Sequence, residues 1–281
     1  ATWAAMREGR PGISALQGLD DPTLRTPIAA QAKGFEALDH FDEKRLVLLD
    51  PVSQMALVAA REAVAQSGIA FGGELGERTA VLIGTGIGGA STQDQMAKRL
   101  YAEKNPRVHP MAIVRVMPNA PASQISLEFG LRGPVFAVAS ACASSNHALG
   151  QALMLLQSGA ADVALAGGVE ACITLGTVKA WEAMRVMASD TCRPFSKGRQ
   201  GLVLGEGAGV FVLETLEHAR SRGADILAEF VGCGMSADAA DIVMPDASGA
   251  ARAMRAALAQ GGVALDEVDY INAHGTGTQA N

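Results

Sequence analysis

The sequence runs to 281 residues, 49% apolar and 19% charged, with 32 glycines and a formal net charge of -6. A chain of this kind can bury a large core in one big domain or two modest ones, and a pI near 5.4 argues against a nucleic-acid binder, because neutralising phosphates needs a basic surface. Its four cysteines, Cys142, Cys172, Cys192 and Cys233, show no paired CxxC spacing, so neither a metal site nor a disulfide framework is expected and reduced thiols in cytosol fit.

The first residues, "ATWAAMREGRPG", lack the apolar centre of a signal peptide, and no apolar run reaches the ~20 residues of a membrane span. A cytoplasmic protein with no membrane partner is expected. "AREAVAQSGI" (Ala60 to Ile69) reads as a helix closed by glycine, and Phe71 to Arg78 is the most loop-like region. "RTAVLIGTGIGG" reads as a buried strand entering a glycine loop, and "GPVFAVASAC" as a second strand. A helix, "HALGQALMLLQ", then ends at Gly159, "ADVALAGGVEA" is a third strand, and "GLVLGEGAGVFVLET" is a pair of apolar runs with a glycine-rich bend between them. "MRAALAQGGV" (Met254 to Val263) is another glycine-closed helix, leading to a strand "VDYIN" and the loop "AHGTGT". Near-continuous apolar strands separated by helices indicate an α/β layered fold whose sheet is covered on both faces.

The two glycine-closed helices share Arg, Ala, Ala, Gln and Gly in register, and each leads to an apolar strand and a loop rich in Gly and Thr. Two copies suggest a duplicated α/β unit, the first nearly complete and the second barely begun when the sequence reaches Asn281; Ala-rich helices that look alike by chance are the alternative.

Within "VASACASSNHALG", Cys142 falls within about a turn of a helix start, with Ser144 placed to cap it. The positive end of the helix dipole favours thiolate there, and small neighbours leave room for a substrate carbonyl. A nucleophile would be placed this way; a buried structural cysteine is the other reading of the same stretch. Cys172, Cys192 and Cys233 read as structural. A nucleophilic cysteine usually works with a histidine. His218 falls on a charged helix and reads as solvated, His40 and His109 lie in polar loops, and His147 is on a different helical face from Cys142 and reads as packed. His274 differs: it ends a strand in a glycine loop, where backbone can approach a ligand and Thr276 and Thr278 offer hydroxyls.

Taken together, "SACASSNHALG", "GLVLGEGAG" and "NAHGTGT", in this order and separation, resemble the β-ketoacyl-acyl carrier protein synthases of the thiolase-like fold. The resemblance covers essentially the whole sequence and is closest to the FabF-like elongating type, and "VKAWEAMRVMASDTCRPFSKGRQGLVLGEGAG" is similar to the nodulation-type, NodE-like branch. It implies a layered αβαβα fold of two duplicated halves: residues 1–223 as the N-terminal half, without the family's first strand, and residues 224–281 as the start of a C-terminal half truncated before the second active-site histidine.

The same resemblance implies that Cys142 is the acyl-accepting nucleophile, with its own N–H as one oxyanion donor, and that His274 is the first active-site histidine, which stabilises the enolate formed when malonyl-carrier protein loses carbon dioxide. Thr276 and Thr278 match threonines that hydrogen-bond the pantetheine arm. Met117 and Trp181 match positions lining the acyl pocket, with core packing as the alternative for both. No metal or organic cofactor is implied, because pantetheine arrives with the acyl carrier protein. The partners implied are acyl carrier protein, acyl and malonyl thioesters, and a second copy joined along "GPVFAVAS". An acidic carrier meeting an acidic chain needs a local basic patch; Lys44, Arg45, Lys98, Arg99, Lys104, Arg107 and Arg185 are the candidates. A Cys-His acyl hydrolase and a non-catalytic acyl-binding or dimer-forming subunit are the rival readings.

Overall fold

The computed structural model describes residues 2–281. In chain order the helices are α1 (Thr2–Arg7), α2 (Glu43–Leu46), α3 (Pro51–Ser67), α4 (Gly73–Glu77), α5 (Ala90–Ala97), α6 (Ala112–Val116), α7 (Ala120–Phe129), α8 (Ser144–Gln157), α9 (Leu175–Ala183), α10 (Leu216–Ser221) and α11 (Ala247–Gly261). The strands are β1 (Ser14–Ala15), β2 (Ile28–Ala29), β3 (Thr79–Gly84), β4 (Val135–Val138), β5 (Val163–Glu170) and β6 (Gly207–Glu214). β1 and β2 make a small antiparallel ribbon, and the other strands form the central sheet in the order β4-β3-β5-β6. β3 is parallel to both β4 and β5, whereas β6 runs antiparallel to β5.

Every residue of β3 is buried, as a central parallel strand covered on both faces requires, and this is why its sequence does not alternate. The two faces still differ. Val81, Ile83, Leu165 and Val169 pack with Val52, Leu57 and Ile125 of α3 and α7, while Ala80, Leu82, Ala164 and Ala166 pack with Ala148, Ala152 and Leu156 of α8. Small side chains on the second face let α8 lie close to the sheet. Burying a Leu or Ile fully contributes about 1.5–3 kcal/mol relative to leaving it exposed, so these positions carry much of the fold's stability.

Local signals fix the helix ends. Asp50 Oδ1 accepts from Val52 N at 3.1 Å with Pro51 in the first turn, and Gly68 ends α3 at a φ of 66°. The other oxygen of this fully buried carboxylate accepts from Thr92 N at 2.7 Å and Thr92 Oγ1 at 2.6 Å, tying α3 to α5. Gly262 ends α11 in the same left-handed conformation, at 64°.

Beyond α8 the layering continues. A Cβ on Gly150 of α8 would lie 2.5 Å from Cys233 Sγ and from Met235 Cε, and one on Gly234 would lie 1.9 Å from Ala253 O of α11. The extended chain around residues 232–235 is therefore sandwiched between α8 and α11, in the succession helix, sheet, helix, extended layer, helix.

Three expectations need correction. Phe71 to Arg78 holds α4 rather than a loop, because Arg78 N can close the turn onto Glu74 O. Of the two runs in "GLVLGEGAGVFVLET" only the second is a strand; Leu202 and Gly205 make isolated bridges to Met187 and Ala30. "VDYIN" forms no strand, and Tyr270 and Ile271 are exposed: an extended segment becomes a strand only with a ladder partner, and none stands beside it among the described residues. Among the described residues no helix is long and apolar enough to cross a membrane.

Candidate active site

β4 ends at Val138 and α8 begins at Ser144, and Cys142 occupies the turn between them, exposed to solvent. Ala141 sits at a φ of 51°, a left-handed conformation that costs a non-glycine residue of order 1–3 kcal/mol and persists only where its surroundings hold it. They do so here. Ala143 N and Ser144 N donate to Ser140 O and Ala141 O at 3.2 and 3.1 Å, and Thr85 N donates to Val138 O at 3.1 Å. Ser144 Oγ accepts from Ser140 N at 2.9 Å and donates to Ala141 O at 2.6 Å. The hydroxyl thus braces the turn; it does not cap α8 as expected, since Ala143 occupies the capping position. Among the described residues none of the turn's hydrogen bonds above uses the Cys142 N–H, and that donor stands beside the thiol at the start of a helix.

Strand ends shape the floor under this turn. A Cβ on Gly84 would lie 2.3 Å from Ser144 C, and one on Gly168 would lie 2.3 Å from Ser145 Oγ, so the ends of β3 and β5 leave room for α8 only because they are glycine. Glu170, at the end of β5, accepts from Thr85 Oγ1 at 3.1 Å and Gly86 N at 2.7 Å, and Thr85 Oγ1 accepts in turn from Gly88 N at 3.1 Å. Gly86 borders Ala141, since a Cβ there would stand 4.0 Å from Ala141 Cα. Gly89 N donates to Val116 O at 3.1 Å, so the glycine loop also seats the segment that carries Met117. Glu170 was not singled out in the sequence, where it reads as one more acid after an apolar run.

His147 lies behind the turn, with Nδ1 2.7 Å from Ser140 Oγ, in a packed, bracing position. His218 is paired rather than solvated: its Nδ1 lies 2.6 Å from Glu214 Oε2, because α10 starts directly after β6 and turns one face back onto it. His40 stacks on Phe35 with ring centroids 5.3 Å apart, and His109 Nδ1 accepts from Met111 N at 3.1 Å. His274 is exposed, in a loop shaped by Gly275 and Gly277 at φ of 56° and 72°. Thr276 Oγ1 and Thr278 Oγ1 lie 2.9 Å apart and bond to each other. No hydrogen bond joins Cys142 to His274 among the described residues.

The remaining thiols differ in kind. Burial, then the Glu170 charge, pushes the Cys172 thiol up to about 11. Burial also raises Cys233, whose Sγ packs on Gly150. Cys192 is half-buried and donates to Thr276 O at 3.4 Å. A thiol held protonated is a poor nucleophile.

Met117 is exposed just after α6, and Trp181 is half-buried on α9. A cavity of 830 Å³ runs along β6, α8 and residues 224–231, and neither residue lines it, nor do Cys142 or His274. Of the basic candidates, Arg45 is engaged with Glu128 at 3.7 Å, whereas Lys44 and Arg185 are exposed, Arg185 at a φ of 57°.

Comparison with known families places this geometry. Residues 1–219 match the Beta-ketoacyl synthase, N-terminal domain family, and residues 227–281 match the Beta-ketoacyl synthase, C-terminal domain family. The chain is 47% identical over 280 residues to Nodulation protein E of Rhizobium meliloti (strain 1021), covering 99% of this chain and 69% of that protein. It is 38% identical over 284 residues to 3-oxoacyl-[acyl-carrier-protein] synthase 2 of Staphylococcus aureus (strain N315), again 99% of this chain and 69% of the relative. Among solved structures, the ishigamide ketosynthase/chain length factor superposes with a TM-score of 0.93 at 34% identity, over 99% of this chain and 69% of that one.

Proposed function

This chain belongs to the beta-ketoacyl synthase family, with its thiolase-like α/β fold, and from that premise we propose how its residues divide the condensing reaction. The enzyme is an acyl-transferring, condensing synthase of acyl-chain biosynthesis. The observation that carries the assignment of roles is the Cys142 turn: an exposed thiol beside its own N–H at a helix start, held by a strained neighbour.

In the first step the Cys142 thiolate attacks the acyl thioester carbonyl. Its N–H is one donor to the oxyanion, and the carbon–sulfur bond to the carrier's pantetheine breaks as that sulfur leaves as a thiolate and is protonated from solvent. In the second step a malonyl thioester loses carbon dioxide, and the electron pair of the broken carbon–carbon bond becomes an enolate whose oxygen His274 meets as a neutral N–H donor. The enolate carbon then attacks the acyl-Cys142 carbonyl, and the cysteine thiolate leaves. Storing the chain on sulfur divides one three-body reaction into two simpler ones, and neutral donors suit a developing oxyanion where a carboxylate would repel it.

Thr276 and Thr278 are assigned to the pantetheine arm, and Met117 and Trp181 to the acyl chain. The chemistry needs no cofactor of the enzyme's own. Acyl carrier protein is the partner, as the name of the Staphylococcus aureus relative indicates for that protein, and Lys44, Arg45 and Arg185 are assigned to docking it. The enzyme pairs with a second copy along β4, which stands at the end of the sheet with no strand on its outer edge among the described residues.

Incubating the full-length enzyme with acyl-carrier protein and mapping the adduct tests this reading. Acyl mass on the peptide holding Cys142, without release of free acid, is expected; acyl mass on Cys172, Cys192 or Cys233, or turnover to free acid, overturns it.

A further inference from the structure

The loop that presents His274 belongs to no helix or strand; within it Thr276 N donates to Asn281 Oδ1 at 2.9 Å and Thr276 Oγ1 bonds to Thr278 Oγ1. Gly275 and Gly277 both take positive φ, and no regular element holds residues 268–277. Its anchorage to the rest of the fold comes from the segment between Cys192 and Gly201.

Arg199 makes most of that contact. Its Nε donates to Thr278 O at 2.8 Å and its Nη2 to Gln279 O at 3.0 Å, while Nη1 anchors the fork to Ser196 O at 3.1 Å. Gln279 Nε2 returns a bond to Arg199 O at 2.8 Å. Among the described residues no carboxylate pairs with this guanidinium, so its donors go to backbone carbonyls of the histidine loop. A charged donor in a planar fork fixes both distance and orientation. The contact is also tight beside it: a Cβ on Gly277 would lie 2.9 Å from Cys192 Sγ and 2.9 Å from Gly201 O.

We propose that Arg199 is a positioning residue for His274, holding the 274–279 loop where the imidazole can meet the enolate oxygen. The inference rests on the role assigned to His274 above. Arg199 touches neither substrate nor the Cys142 turn in this scheme; it sets the second step and leaves the first alone.

The test compares Arg199→Gln, Arg199→Lys and His274→Ala in the full-length enzyme, with rapid-quench measurement of Cys142 acylation beside carbon dioxide release from a malonyl thioester. Misplacing a catalytic group by about 1 Å costs on the order of 10²-fold, so Arg199→Gln should lose about that much decarboxylation while acylation stays largely intact. Arg199→Lys keeps the charge without the fork and should fall between. Equal loss of both steps, or no loss, overturns the proposal. Should Arg199→Gln fail to fold, Gln279→Ala removes only the reciprocal bond and must show the same split at smaller amplitude; its absence is equally decisive. His274→Ala separates the two levels of inference. If it too slows acylation, the assignment of His274 fails; if it splits the steps and Arg199→Gln does not, only the positioning role fails.

Discussion

Gly84, the last residue of β3, is pressed against Ser144, the first residue of α8: a Cβ on Gly84 would stand 2.3 Å from the Ser144 carbonyl carbon. The atom in the way is backbone, which cannot swing aside as a side chain could. Gly84→Ala must therefore displace the start of α8 and, with it, the turn that exposes Cys142. Overpacking of this kind costs about 1–3 kcal/mol, so a drop in denaturant midpoint is expected together with slower alkylation of Cys142 by iodoacetamide in the still-folded protein. Unchanged labelling would show that the turn does not depend on this contact.

Glu214 provides a pH-dependent lock at the far end of β6. Burial pushes its carboxyl up, but hydrogen bonds from Arg222 and His218 outweigh this and hold it below the usual carboxylate range. Arg222 Nη1 also reaches Ser67 O at 2.9 Å, so the cluster joins β6, α10 and the end of α3. A depressed folded pKa stabilises the fold fully above the unfolded value, about 4.3 for Glu, and that stability is lost as pH falls through the folded pKa. Arg222→Gln should cost about 1–3 kcal/mol at neutral pH, by leaving a charged acceptor short of partners. The difference from the parent should shrink below about pH 4.3. Urea unfolding at pH 7 and pH 3.5 gives both numbers, and an equal difference at the two values would contradict the account.

The dimer prediction follows from hydrogen-bond direction. Val81 N donates to Pro134 O at 2.8 Å and Thr85 N to Val138 O at 3.1 Å, so the even-numbered residues of β4 face β3. By alternation Val135 and Ala137 present their N–H and C=O groups to the outer edge. Ala137→Pro removes one outward donor and leaves the β3 ladder intact, because proline is tolerated at such edges. Sedimentation should show a dimer for the parent at micromolar concentration and a shift toward monomer for Ala137→Pro. A stable, soluble monomer for the parent would sink the β4 interface.

Much of this was legible in the sequence because it depends on local pattern. The buried β3 and β5, the glycine stops after α3 and α11, and the thiol at a strand-to-helix turn are all written in neighbouring residues. What failed depends on partners that the local pattern does not reveal, some of them distant in the chain. "VDYIN" has the composition of a strand but no ladder beside it, and "GLVLG" has only single bridges. Ser144 carries a good capping side chain, yet Ala141 O and Ser140 N compete for it more effectively once Ala141 turns left-handed. His218 looked solvated because Glu214 lies on the preceding strand rather than on its own helix. Glu170 and Arg199 were invisible because their importance lies in the groups they hold, the Thr85 hydroxyl and Gly86 N–H for one and two backbone carbonyls for the other, 84–85 and 79–80 positions away.

The division of labour between Cys142 and His274 is the central claim, and one comparison addresses it most directly. Rapid-quench measurement of acyl-enzyme formation beside carbon dioxide release, in His274→Ala of the full-length enzyme, reads both steps in one preparation. Losing one oxyanion donor costs on the order of 10²–10³ in rate, so carbon dioxide release should fall by that factor while transfer of the acyl group to Cys142 continues at close to its normal rate. If acylation falls in parallel with decarboxylation, His274 acts as the base for the thiol and the assignment proposed here is wrong.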